Sequence, residues 1–145
     1  MKQIIYNCIE TPDGTKLHSK YRHDYVSYID KNGDCYVTDG GNEYLHRSVN
    51  EIPAKDLTVY ACSPHKEIRE VFYWGTYGKN KEYDREPMHE PLYVPLCRLS
   101  NPHIEAIIET QKQLPEWRVR IFKEELFYRE DNDIFIDEVE LYDEN

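Results

Sequence analysis

The sequence lacks the features that mark membrane-spanning, secreted and zinc-binding proteins. No apolar run approaches the ~20 residues of a membrane span, and residues 1–7 contain no long apolar segment of the kind found in signal peptides. The four cysteines stand far apart and form no C-x-x-C pair, which gives little support for a zinc site. We therefore expect a cytoplasmic protein with reduced thiols, no membrane partner, no bound metal and no cofactor.

Local signatures of catalysis are also missing. No G-x-S-x-G or similar nucleophile motif occurs. Glu105 and Glu109 fall four residues apart on a predicted helix, but no histidine pattern accompanies them, so they are most simply solvated. Residues 30–34 resemble a calcium loop only faintly, because the spacing and the final Glu of an EF-hand are absent. We expect no catalytic residues, and hence a binding protein rather than an enzyme.

Negative charge is plentiful but concentrated at one end. Residues 124–145 hold ten acidic side chains and one basic one, and so carry nine of the ten net negative charges. The simplest interpretation is a solvated tail. A mimic of DNA would spread its charges over a whole face, as phosphates are spread along a duplex. We therefore do not favour mimicry, and we expect no nucleic-acid partner.

The first half of the chain has the pattern of antiparallel strands. Pro12-Asp13-Gly14-Thr15 and Asn32-Gly33 are turn signals between runs rich in strand-forming residues. We expect them to close two hairpins of one antiparallel sheet. Another strand is predicted over residues 57–61.

The second half has the pattern of helices. Ser63-Pro64 and Asn101-Pro102 each combine a capping residue with a proline at the first helical position. The first of these helices should end near Gly75 or Gly78, and residues 75–91 predict a long loop. Residues 116–129 predict a third helix, although residues 117–121 also alternate as a strand would. The expected fold is a single α+β domain, mainly β over 1–62 and mainly α over 63–130, with 131–145 as an acidic tail or an extra strand.

Basic side chains and aromatic rings cluster before the tail, which suits a small phosphorylated ligand that contains a base. Arg22 precedes a predicted strand, where it is a ligand contact or part of a charged hairpin edge. His65 falls in the first turn of a predicted helix, where backbone N–H groups favour anions. Arg69 lies four residues later on the same face. The alternative for this pair is a solvated basic face.

Four further residues are candidates in the second half. Trp74 is either a stacking platform or part of a core, and Asn101 is either a polar contact or a helix cap. Arg118 and Arg129 are eleven residues apart, which is three helical turns, so they can share a face and hold phosphates bidentately.

Motifs spread over most of the chain resemble a family of small phage proteins. They include Thr11-Pro12-Asp13-Gly14-Thr15, Arg22-His23-Asp24-Tyr25-Val26, Asp30-Lys31-Asn32-Gly33, Asp39-Gly40-Gly41, Tyr44-Leu45-His46-Arg47, Pro64-His65, Ile68-Arg69, Trp74-Gly75, Tyr93-Val94-Pro95-Leu96 and Tyr128-Arg129. Up to about residue 130, the chain resembles the first family of Thoeris anti-defence proteins, which act as molecular sponges.

The resemblance implies an N-terminal antiparallel sheet followed by helices, and a homo-oligomer, dimer or hexamer, in the host cytoplasm. It implies that a cyclic ADP-ribose isomer, and in some members a cyclic di- or trinucleotide at a separate site, is bound without cleavage. Asn101, Arg118 and Arg129 stand where the family places polar ligand contacts. The acidic extension after Arg129 and the insert around 79–90 depart from the family pattern and bear on ligand choice.

The expected function is therefore non-catalytic sequestration of a cyclic nucleotide immune signal, which would block anti-phage defence. Such capture needs tight ground-state binding only, and net negative charge is no obstacle because the local field at the site decides. The alternative is an acidic phage protein that inhibits a host enzyme by direct protein–protein binding. An enzyme of nucleotide metabolism is the third possibility.

Overall fold

The computed structural model describes residues 2–76 and 91–138, and the chain divides into two compact units, residues 1–72 and 73–145. The first unit contains β1 (Ile4–Glu10), β2 (Lys16–Ser19), β3 (Val26–Ile29), β4 (Cys35–Asp39), β5 (His46–Arg47), β6 (Lys55–Asp56), β7 (Val59–Tyr60) and α1 (His65–Val71). The second contains β8 (Tyr73–Thr76), β9 (Leu92–Pro95), a 3-10 turn (Leu96–Arg98), α2 (Asn101–Thr110) and α3 (Glu116–Asp131). The predicted α+β class, with antiparallel strands first and helices after them, is confirmed. The single domain stays a prediction.

Both predicted hairpins form, but they belong to different sheets, so the prediction of one sheet is wrong. In one sheet β1 pairs with β2, β6 and β7, and in the other β4 lies between β3 and β5. A tight turn separates the hairpins: the Asp24 amide donates to the Tyr21 carbonyl, and Ser19 Oγ donates to the Asp24 carbonyl. His23, inside this turn, has a φ of 65°. Because of these local bonds, β2 ends at Ser19 and a turn separates it from β3.

The first unit buries β1 along five consecutive residues, Ile5 to Ile9. A run buried on both faces is typical of a central strand. Ile9 packs with Leu17 and Tyr36, and Val26, Tyr28 and Ala54 lie against this cluster. Asn7 is polar yet fully buried within the run, so its amide must find partners inside the protein.

The helix boundaries differ from the predictions in three places. Helix α1 ends at Val71, four residues before Gly75, because Phe72 is extended and residues 73–76 pair with 92–95 as a hairpin. Its N-cap is Pro64, without a side-chain bond, so Ser63 is not the cap and Pro64 is not the first helical residue. Helix α2 is capped by Ser100, whose hydroxyl accepts from the His103 amide, so Asn101 is the first helical residue and not the cap.

The third helix forms as predicted, and the alternative of a strand over 117–121 is excluded. From residue 132 to residue 138 the chain forms no strand, and the rest of the predicted tail lies outside the described residues. Most of the predicted loop, residues 77–90, also lies outside them. Within the described ranges, no helix is long and apolar enough to cross a membrane.

Candidate functional site

Arg47, on β5, is the centre of a hydrogen-bond network inside the first unit. Its guanidinium donates to Thr38 Oγ1 at 3.2 Å, Asp56 Oδ1 at 3.0 Å, Asn7 Oδ1 at 2.9 Å and Thr58 Oγ1 at 2.7 Å. Burial acts to raise the pKa of Asp56, but hydrogen bonds from Thr58 and Arg47 outweigh it and leave that pKa below its usual value. Asn7 is satisfied by this network, and Arg47 is fixed in position by it.

The same arginine lines a cavity of about 330 Å³. Ligand sites in proteins usually have volumes of ~300–1,000 Å³ and mostly apolar walls with a few polar groups. This cavity has both properties. Its apolar walls are Ile9, Tyr36, Val37, Val49, Pro53 and Ala54, and its polar groups belong to Arg47, Ser48 and Asn50.

The rim of the cavity is held to β4 by hydrogen bonds. Ser48 Oγ accepts from the Val37 amide at 3.0 Å and donates to Asn50 Oδ1 at 2.6 Å. Asn50 Nδ2 in turn donates to the Cys35 carbonyl at 2.9 Å, and Tyr36 Oη donates to the Ile52 carbonyl. A rim ordered in this way has less conformational entropy to lose when a ligand binds.

A second polar cluster joins three of the motifs recognised in the sequence. His23 Nδ1 lies 2.6 Å from Tyr44 Oη, which donates to Asp39 Oδ2 at 3.3 Å, and His46 Nδ1 lies 3.4 Å from the same carboxylate oxygen. Because the one hydroxyl hydrogen of Tyr44 points to Asp39, Nδ1 of His23 must carry a hydrogen to complete the chain. Both imidazoles are exposed. Within the described ranges, no three His, Cys, Asp or Glu side chains are placed to hold a metal ion.

Arg22 lies beside this cluster and is exposed. Burial, and next the Asp39 carboxylate, raises the pKa of Tyr44, while Arg22 acts in the opposite direction. Gly41 allows its own segment to approach Tyr21 closely, since a Cβ on Gly41 would lie 2.3 Å from the Tyr21 carbonyl. Its amide donates to Ser19 Oγ at 2.9 Å. The cluster therefore presents a cation and two imidazoles around one phenol.

The predicted residues His65 and Arg69 lie on α1, also in the first unit. Each is half-buried, and their spacing of four places them on one face of this seven-residue helix. Neither of them, nor Arg22, lines the cavity beside Arg47. Their role as ligand contacts stays a prediction.

Asn101 and Arg129 meet in the interior of the second unit. Arg129 is 0% exposed and donates to Glu125 Oε2 at 2.7 Å, Asn101 Oδ1 at 2.8 Å and the Leu96 carbonyl at 3.0 Å. The Asn101 backbone amide donates to the Ile136 carbonyl at 2.8 Å, and Asn101 Oδ1 accepts from the Ile136 backbone amide at 3.0 Å. These contacts give both residues a structural role. A ligand role for them stays a prediction, and in this arrangement a ligand would have to displace protein partners.

Arg118 and Trp74 have different surroundings in the same unit. The Arg118 guanidinium lies 5.0 Å from the Trp117 ring centre, a cation–π geometry. The Trp74 ring packs edge-on against Phe122 with centroids 5.4 Å apart, as a core residue does. The two arginines predicted to hold phosphates therefore differ in exposure, because Arg118 is half-buried whereas Arg129 is fully buried.

The residues that line the cavity were not among the sequence-predicted contacts. Arg47 stood in the motif Tyr44-Leu45-His46-Arg47, but its partner Asn7 is 40 residues away. No spacing rule reveals such a contact.

Comparison with known proteins adds no constraint: no protein-family model, no curated protein and no solved structure matches the chain.

Proposed function

We propose that the protein is a non-catalytic binder that sequesters a cyclic nucleotide immune signal, a cyclic ADP-ribose isomer or a cyclic oligonucleotide, and so keeps it from its effector. The observation that carries the proposal is the cavity beside Arg47, whose rim is held by hydrogen bonds before any ligand arrives. Sequestration requires a preformed concave site and no complementarity to a transition state.

Basic groups of the first unit supply a means of holding phosphates. His23 contacts Tyr44, His46 contacts the Asp39 carboxylate that Tyr44 also bonds, and Arg22 acts electrostatically on Tyr44. His65 and Arg69, both half-buried, form a second basic pair on α1. Guanidinium and imidazolium groups make charge-assisted hydrogen bonds to phosphate oxygens. These groups lie on a chain that is otherwise acidic, so they are local positive sites.

The contact between Cys8 and His18 does not favour catalysis. Cys8 Sγ lies 3.6 Å from His18 Nδ1. A catalytic pair needs a thiolate beside an imidazolium, which requires a lowered cysteine pKa. Here burial raises the pKa of Cys8, and burial, with Lys20, lowers the pKa of His18. Both pKa shifts favour a neutral thiol beside a neutral imidazole.

Assembly into a homo-oligomer, dimer or hexamer, in the host cytoplasm is part of the same proposal. Large apolar side chains stand exposed in each unit, including Ile29 on β3 (66% exposed) and Phe127 on α3 (66%). Exposed apolar groups of this size often mark surfaces that other copies or partners cover.

The alternative, direct inhibition of a host enzyme, has one observation in its favour. Val49 is 100% exposed and Ile52 is 56% exposed on the loop around the cavity. An apolar side chain of a partner protein would find complementary surface there.

Depletion and release of ligand tests these functions together. The protein is incubated with cyclic ADP-ribose isomers and cyclic dinucleotides, removed by ultrafiltration, and then heat-denatured. A sponge depletes the free ligand and returns it chemically intact. An enzyme returns a product, and a protein inhibitor depletes nothing, either of which contradicts the proposal.

A further inference from the structure

The cavity beside Arg47 is electrically balanced. Arg47 Nη1 contacts Asp56 Oδ1 at 3.0 Å, so the cation that the described residues contribute to the wall is paired with a carboxylate. The low pKa of Asp56 keeps that carboxylate ionised at neutral pH. A phosphate entering the cavity would meet a neutral pair rather than a free positive charge. It would lose its hydration and gain little electrostatic attraction in exchange.

The guanidinium also has few donors left. Arginine carries five N–H donors, and four bonds to Thr38, Asp56, Asn7 and Thr58 occupy all but one of them. Bidentate recognition of a phosphate needs two parallel N–H groups. Arg47 can offer one N–H to a ligand, which suits a single acceptor atom.

The remaining walls favour a flat, uncharged group. Six of the nine lining residues are apolar, and Tyr36 has its hydroxyl engaged by the Ile52 carbonyl. At one edge, the Asn50 amide keeps a second N–H and a second lone pair after its bonds to Cys35 and Ser48. Such an amide can pair with the edge of a heteroaromatic base.

We infer that the cavity beside Arg47 binds an uncharged heteroaromatic ring, a nucleobase with its sugar, and that phosphate groups bind elsewhere. The inference rests on the proposed function in taking a nucleotide as the ligand, and it assigns which part of that nucleotide enters the cavity. The volume of about 330 Å³ is at the small end for ligand sites, as a single base would require.

Titration of the full chain with adenosine, AMP and pyrophosphate, followed by calorimetry at low and high salt, tests the assignment. Adenosine and AMP should bind with Kd values within about threefold of each other and with little salt dependence, because the phosphate adds no contact in the cavity. Pyrophosphate should not compete with adenosine. Competition by pyrophosphate, or AMP binding more than about tenfold tighter than adenosine, overturns the inference, as does no adenosine binding at millimolar concentration.

Two variants locate the binding. Ala54→Phe fills the cavity and should weaken adenosine binding at least about tenfold, whereas Ala106→Phe, at an exposed position of α2, should leave it unchanged. Because Ala54 also touches the Ile9 cluster, its folding is checked by circular dichroism. Independently of any variant, adenosine ring protons should show NOEs to the methyl groups of Ile9 and Val37 in the unmodified protein, and their absence in a complex contradicts the assignment.

The two proposals fail in different ways. If cyclic nucleotides are not captured but adenosine gives NOEs to Val37, sequestration is wrong and the ring site stands. If Ala54→Phe captures a cyclic nucleotide as well as the unmodified protein does, sequestration stands and the ring site is wrong.

Discussion

Arg129 Nε donates to Glu125 Oε2 at 2.7 Å, and both side chains are 0% exposed. One helical turn separates the two residues on α3, so the pair is an i,i+4 contact turned inward rather than toward solvent. Arg129 further reaches Asn101 and the Leu96 carbonyl. The pair therefore joins the two helices and the turn before α2.

Removal of Arg129 should destabilise the protein strongly. Arg129→Ala leaves the Glu125 carboxylate buried without its partner, and loss of one member of a buried pair costs about 3–5 kcal/mol. Arg120→Ala, at an exposed position of the same helix, should cost at most about 1 kcal/mol, the value of its surface pair with Glu116. Urea unfolding measures both. Equal midpoints for the two variants would show that the buried pair does not support the fold.

The chain just after α3, residues 133–138, should contribute to stability. Deletion of 133–145 removes the bonds of Ile134 to the Arg129 carbonyl and of Ile136 to Asn101. Three such bonds are worth about 2–4 kcal/mol together. Deletion of 139–145 keeps them. We expect a lower melting temperature for the longer deletion than for the shorter one, and unchanged ligand capture for the shorter one. Lost capture after the shorter deletion would assign the acidic end a direct role.

Asp13 should make the fold sensitive to acid. Hydrogen bonds from Thr11 and then Tyr28 hold the pKa of Asp13 well below its usual value. A carboxyl group whose pKa is lowered on folding stabilises the protein fully above its unfolded pKa of ~3.9. That contribution is lost as the pH falls through the lowered folded value. The stability difference between the unmodified protein and Asp13→Asn should therefore be larger at pH 6 than at pH 2.5, by urea unfolding.

Tyr28→Phe provides a second test of the same linkage. The Tyr28 hydroxyl donates to Asp13 Oδ2 at 2.8 Å, so its removal should raise the pKa of Asp13 in the folded protein. The folded and unfolded pKa values of Asp13 then lie closer together, and stability should be lost over a narrower range of pH. A stability difference that is the same at both pH values would contradict the role of Asp13.

Gly41 should tolerate no side chain. At φ +50° its Cβ would lie 2.3 Å from backbone atoms of Tyr21, whereas a Cβ on Gly33, at φ +86°, would meet nothing within 4 Å. Gly33→Ala should cost about 1–2 kcal/mol, the penalty of a left-handed conformation. Gly41→Ala should cost more, because backbone must move as well, and should weaken the contact between His23 and Tyr44. Equal unfolding midpoints for the two variants would disprove this close approach.

Local signals in the sequence predicted the elements better than their association. Asn32-Gly33 and residues 12–15 closed hairpins as expected, because turn chemistry depends on adjacent residues. That the hairpins enter two sheets depends on the turn at residues 20–24, where Ser19 and Asp24 side chains bond backbone groups. The end of α1 at Val71 was missed for a similar reason, since strand pairing of 73–76 with 92–95 overrides the helical pattern.

None of the residues predicted as ligand contacts lines the cavity beside Arg47, so the sequence did not locate this cavity. The basic and aromatic residue types were expected, and the structure does bring Asn101 to Arg129. Burial of that pair could not be foreseen, because the sequence does not say which face of α3 is covered. The cavity beside Arg47 depends on partners drawn from β1, β4 and the segment 48–58, and contacts over such separations leave no trace in local spacing.

Reversible capture of an intact nucleotide is the central feature of the proposed function. The direct measurement is the amount of cyclic ADP-ribose isomer that disappears from solution with increasing protein and reappears, with its mass and chromatographic retention unchanged, after the protein is denatured. The proposal predicts saturable depletion with full recovery. No depletion of any cyclic nucleotide, or recovery of a cleaved product, would contradict it.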